Sequence, residues 1–97
     1  MPIYKLTLYK SYYDKGFFNL GVDVERFVRP DSGPITLRLG ESKAEVRGRV
    51  DREANQNGTP RIFGGAELRD WFQKHFKLED VVDVLVTDPD ELWLKRP

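Results

Sequence analysis

Apolar and polar positions alternate over most of this chain. From Ile3 to Tyr9, Tyr4, Leu6 and Leu8 fall on one face and Lys5, Thr7 and Tyr9 on the other, the two-residue period of a half-buried strand. Phe17-Phe18-Asn19-Leu20 reads as a short buried strand in which Asn19 is the odd polar residue. Further on, Ile35, Leu37 and Leu39 alternate with Thr36 and Arg38, and Ala44, Val46, Gly48 and Val50 alternate with Glu45, Arg47, Arg49 and Asp51. Val81 to Val86 and Glu91 to Lys95 repeat the pattern on either side of an Asp88-Pro89-Asp90 turn, and Pro30 to Pro34 is a turn by composition. If the apolar faces point inward, Arg38, Arg47 and Arg49 face out together.

One stretch changes period. From Ala66 onward the apolar residues Leu68, Trp71, Phe72 and Phe76, with His75 on the same stripe, take the spacing of a helix with one buried face. Glu67 and Asp70 lie early in it and Lys74 and Lys77 late, which suits the helix dipole, and Gly64-Gly65 allows a tight entry. Val22 to Val28 suits either a strand or one or two helical turns. The expectation is a mainly β fold, an open barrel of about seven short strands with one clear helix and a second, shorter candidate.

Composition narrows this picture only slightly. The chain has 97 residues, which suits one domain spanning positions 1–97 with a single modest core. Its formal net charge of +0 argues against unspecific coating of nucleic acid but leaves room for local patches. Without cysteine it has neither a disulfide framework nor a thiolate metal site, and no apolar run approaches a membrane span or signal-peptide core. A soluble cytoplasmic protein with no membrane partner and no cofactor is expected.

The densest chemistry lies between Asp51 and Thr59. There Arg52, Asn55, Gln56 and Asn57 stand together before the Gly58-Thr59-Pro60 turn. Arginine pairs bidentately with guanine, and asparagine or glutamine with adenine, so these four are candidate readers of base edges. Arg61, Arg49, Arg47 and Arg38 flank the loop as candidate phosphate contacts. Ordinary explanations stand beside these: Asn-Gln-Asn-Gly is also turn chemistry, and the arginines could pair across strands with Glu45, Asp51 and Glu53.

Enzyme signals are thinner. Pro30-Asp31 followed by Glu41-Ser42-Lys43 superficially matches the proline-aspartate, glutamate-x-lysine pattern of metal-dependent nucleases, yet both pieces fall in turns. His75 is the single histidine and suits packing, while Ser11, Ser32 and Ser42 lie in loops with no histidine near. Gly64-Gly65 lacks the lysine and serine of a phosphate-binding loop.

The order of elements completes the pattern. A strand, the polar loop, a further strand, Gly64-Gly65, a Trp71-Phe72 helix and then Lys77-Leu78-Glu79-Asp80-Val81-Val82 entering a strand resembles the B-three DNA-binding pseudobarrel of plant transcription factors. It resembles more closely the bacterial members of that fold, the DNA-recognition effector domains of certain restriction endonucleases. The likeness spans nearly the whole chain, with Glu79-Asp80 standing where a Gly-Asp is usual and Trp71 inside the helix instead of directly after the glycines. It implies a seven-stranded open pseudobarrel with a short helix within Val22 to Val28, and sequence-specific binding of double-stranded DNA in the major groove through two loop arms. The first arm would be Lys10 to Gly16, whose Lys10, Ser11, Tyr12, Tyr13 and Lys15 suit contact with the DNA backbone. No catalysis would belong to this chain alone; it would be the target-recognition part of a restriction-modification system, cut from a longer enzyme or working beside a nuclease module or subunit. The alternatives are a small β-barrel module for protein or RNA, with Tyr12, Tyr13 and Trp93 as contact residues, and the metal-dependent nuclease.

Overall fold

The strands follow from the alternation, and their buried positions meet in one core. The computed structural model describes Met1–Pro97. In chain order it has β1 (Ile3–Thr7), α1 (Lys10–Lys15), β2 (Phe17–Asn19), a single 3-10 turn (Glu25–Phe27), β3 (Gly33–Leu39), β4 (Ala44–Asp51), β5 (Arg61–Phe63), α2 (Gly65–His75), β6 (Val81–Asp88) and β7 (Glu91–Lys95). The seven strands form one curled sheet in the order β1-β6-β7-β3-β4-β5-β2, an open half-barrel with β1 and β2 at its margins. Every pairing is antiparallel except β3 with β7. The concave side is filled by leucines, valines and Phe18, and α2 closes it with Leu68, Phe72 and Phe76. The mainly β expectation and the helix after Gly64 are both met.

Two elements depart from the alternation. Lys10 to Gly16, expected as a loop, is a helix: Lys10 pairs with Asp14 one turn on, and Gly16 ends the helix at φ 73 with its N–H on the Tyr12 carbonyl. Six residues are too few to display a helical period, so the helix was invisible to pattern reading. In β6 the alternation fails differently, because Val82 through Val86 are all buried, Asp83 among them. Asp83 tolerates this by pairing with Lys5 on β1, whose ammonium stays exposed. Within the ambiguous Val22 to Val28 stretch, Val24 and Val28 are buried at either end of the 3-10 turn.

The turn into β6 carries a non-glycine residue in the left-handed region. Glu79 has φ 71, while its N–H bonds the Leu8 carbonyl at 2.8 Å. A Cβ is penalised at this dihedral, which favours glycine. Glu79→Gly should therefore stabilise the fold by roughly 0.5–1 kcal/mol, the relieved strain outweighing the added freedom of the unfolded chain. Urea unfolding with an unchanged slope would check this.

Candidate nucleic-acid interface

β2, β5 and β4 place their alternate residues on one outer face. Phe17 stands opposite Phe63 and Asn19 opposite Arg61 in the β2–β5 pair; Arg49 lies opposite Phe63 and Asp51 opposite Arg61 in the β4–β5 pair. The inward residues between them, Phe18, Ile62 and Val50, are fully buried. α1 runs into the Phe17 end of this face, and the polar loop runs into its Arg61 end. The two expected arms therefore lie at opposite ends of one short ladder.

Aromatic rings and guanidinium groups interleave on the face. The Arg61 guanidinium lies 5.1 Å from the Phe17 ring centroid and that of Arg49 lies 5.0 Å from Phe63, both within cation–π range. Tyr12 from α1 meets Phe17 edge-on at 5.4 Å, and Phe17 meets Phe63 at 5.8 Å. Arg61 is held further, donating from Nε to Asn19 Oδ1 at 3.0 Å and from Nη2 to Asn55 Oδ1 at 3.3 Å. Arg49 has only a 3.9 Å approach from Asp51, and exposed Arg47 forms no ion pair. Arg61 is thus oriented by a ring and two amides and Arg49 by a ring, with Asp51 the one carboxylate paired on this face.

Within the loop the candidate readers separate into two kinds. Arg52 is half-buried and spent: Nε donates to the Arg29 carbonyl at 3.0 Å, Nη1 to Glu25 Oε2 at 2.6 Å and the Gly58 carbonyl at 3.3 Å, and Nη2 to the carbonyls of Glu25 and Val28 at 2.8 Å each. All five guanidinium N–H groups are thus engaged inside the protein. The expectation that Arg52 reads a base is corrected accordingly; it ties the loop to the Val24–Arg29 segment. Asn55 is also inward, its amide shared between Asn19 Oδ1 at 2.9 Å and the Thr59 carbonyl at 3.0 Å, which leaves one lone pair on its oxygen. Asn57 Oδ1 closes the turn on Thr59, accepting from N at 3.1 Å and Oγ1 at 2.7 Å, so its Nδ2 remains free. Gln56 is exposed with its whole amide available. Asn19, Asn55, Gln56, Asn57 and Thr59 line a shallow concavity open to solvent.

The remaining expected contacts are distributed unevenly. Arg38 faces outward with Arg47 and Arg49, but Glu91 at 2.8 Å and Glu45 at 3.1 Å bracket it; the Glu91 hydrogen bond foremost raises its pKa above the ordinary arginine value. Its charge is compensated, which corrects its assignment as a phosphate clamp. Lys10 is paired with Asp14, and Tyr13 turns inward to donate to the Phe76 carbonyl at 3.1 Å, while Ser11 and Lys15 are exposed. Trp93 lies on β7, its indole N–H on the Gly40 carbonyl at 2.8 Å. Asp31 and Glu41–Lys43 sit beyond opposite ends of β3, roughly 20 Å of strand apart. The nuclease-like pieces are not brought together.

Phe17, Phe63 and Asn19 are the members of this face that sequence reading passed over. The signal existed: continuing the two-residue period outward from buried Phe18 and Ile62 puts Phe17, Asn19, Arg61 and Phe63 on the other side. No family model matches the chain, and no curated protein matches its sequence.

Proposed function

We propose that this protein binds double-stranded DNA sequence-specifically, laying α1 and the polar loop against the major groove with the β2–β5–β4 face between them. The observation that carries the reading is the mounting of Gln56 and Asn57. The free Gln56 amide and the free Nδ2 of Asn57 stand on a loop fixed by Arg52, beside the ring-oriented guanidiniums of Arg61 and Arg49. The Gln56 amide can pair bidentately with adenine in the major groove while Asn57 offers a donor alone, and phosphate contacts fix the register in which they read. In this reading Gln56 and Asn57 are the readers and Asn55 contributes one acceptor. Lys15, Arg47, Arg49 and Arg61 hold phosphates, Ser11 and Tyr12 pack on the backbone, and Arg52 positions the loop. The resemblance to restriction-enzyme effector domains gives the setting: target recognition for a nuclease module or subunit, with the cutting done elsewhere.

Binding should be steeply salt-dependent and metal-independent. Four free cations imply that log Kd rises by about 3–4 per log unit of salt. Fluorescence anisotropy of a labelled duplex between low and moderate salt measures it. Salt-insensitive binding, or cleavage of plasmid on adding magnesium, would overturn the reading.

A further inference from the structure

A cleft of about 260 Å³ opens between the β3–β4 turn and α2, lined by Leu39, Glu41, Ser42, Trp71, His75, Phe76 and Arg96 together with Gly40. It lies beyond the start of β4, whereas the polar loop follows its end, so roughly 25 Å of strand separates them. Nothing in the proposed DNA contact uses it.

The walls and rim of the cleft differ in chemistry. Trp71, Phe76 and Leu39 supply apolar surface, of which the half-buried Trp71 ring, edge-on to Phe76 at 5.2 Å, is the flat part. Trp71 Nε1 lies near Gly40, 3.7 Å from where a Cβ would stand, and the Gly40 carbonyl is already taken by Trp93. The Trp71 indole N–H makes no hydrogen bond within the protein, and because no buried polar atom is left unsatisfied it is open to solvent at the cleft. The Ser42 hydroxyl, the Glu41 carboxylate and the His75 ring are equally without partners. Arg96 spends one N–H group on the His75 carbonyl while lying 5.2 Å over the Phe76 ring, keeping its other donors.

These features exclude several occupants. A simple anion would leave the apolar walls idle and face Glu41. An aliphatic or phenyl group would leave the indole donor and the carboxylate unpaired, which is costly once water is displaced. Glu41 and His75 are too few for a metal ion, and no group of at least three acidic, histidine or cysteine ligands exists in the chain. A flat indole wall with both donors and acceptors at the rim suits a planar ring that itself has both. The volume sits just under the roughly 300 Å³ where ordinary small-molecule sites begin, so it admits one ring system and not a dinucleotide.

We propose that this cleft binds a nucleobase, with the ring against Trp71, Glu41 accepting from a ring or exocyclic N–H, and Arg96 meeting a ring acceptor or an attached phosphate. The base can come from a free mononucleotide or from an unpaired position in a strand, and the test has an arm for each. The full chain is titrated separately with AMP, GMP, CMP and UMP, and with a single-stranded oligonucleotide, reading tryptophan emission and thermal melting. At least one arm should quench emission saturably, and Tm should rise by about 5–10 °C at tenfold excess over Kd. Quenching by the oligonucleotide but by no mononucleotide assigns the base to a strand; quenching by a mononucleotide assigns it to a free ligand. Glu41→Gln, at an exposed turn position, should weaken Kd at least about tenfold, as should Arg96→Ala. Trp71→Phe should remove the quench, distinguishing Trp71 from Trp93. Absence of saturable quenching in every arm, or quenching and Tm shifts undiminished in both Glu41→Gln and Arg96→Ala, overturns the proposal.

Discussion

Arg52→Met should lower stability by about 3 kcal/mol and the melting temperature by more than about 10 °C. The substitution keeps much of the side chain's length but leaves Glu25, with its 2.6 Å ion pair, and four main-chain carbonyls without their donor. The Arg52 side chain is only 14% exposed, so water replaces these bonds poorly. Arg52→Lys should rescue little, because a point charge with three donors cannot serve acceptors arranged around a planar fork. Measured below the variant's melting transition, duplex binding should lose its sequence preference and keep most of its salt-dependent component, since the loop loses its mounting while the strand arginines remain. A variant as stable as the wild type would show that the network contributes nothing net.

Gly16→Ala should cost a similar amount for a different reason. A Cβ at Gly16 would stand 2.2 Å from the Gly65 carbonyl oxygen and 2.9 Å from the Arg69 nitrogen, both main-chain atoms of α2. The residue also has φ 73, where a side chain adds its own strain. Backbone strain of about 1–2 kcal/mol and overpacking of about 1–3 kcal/mol together give about 3 kcal/mol. Gly58→Ala supplies the control: its φ is 78, but nothing lies within 4 Å of the added carbon, so only the dihedral cost of about 1 kcal/mol applies. Chemical denaturation of the two variants separates close approach from backbone strain. Equal losses would mean that α1 does not depend on its tight seat against α2.

How much of this was legible in the sequence varies with the kind of signal. Strands with one buried face, such as Ile35 to Leu39 and Ala44 to Asp51, announce themselves by alternation, and α2 does so by its Leu68, Trp71, Phe72 and Phe76 stripe. β6 was legible as a strand but not in its burial, because both of its faces are covered and Asp83 is kept inside by a partner distant in sequence. α1 is a turn and a half of helix stabilised by Gly16 and its neighbours, and no period can show in that length. The candidate site was legible as a composition and not as a geometry. Arg52 and Gln56 are both polar loop residues, yet one is locked to Glu25 and the other is free. What decides between them is a segment some 25 residues earlier in the chain, a contact that local pattern cannot contain.

In the proposed function the polar loop reads bases while the strand face holds phosphates. The direct measurement is selection of a preferred duplex from a random library, followed by affinities of Gln56→Ala, Asn57→Ala, Arg49→Ala and Lys15→Ala for that duplex and for an unrelated one. Gln56→Ala should lose about 1–3 kcal/mol on the preferred duplex and little on the other, with Asn57→Ala following in the same direction. Arg49→Ala and Lys15→Ala should weaken both duplexes about equally and reduce the salt slope by about one each. If selection yields no preferred sequence, or if loop and strand substitutions affect the two duplexes alike, the Arg52–Pro60 loop is not a reading element and the claim fails.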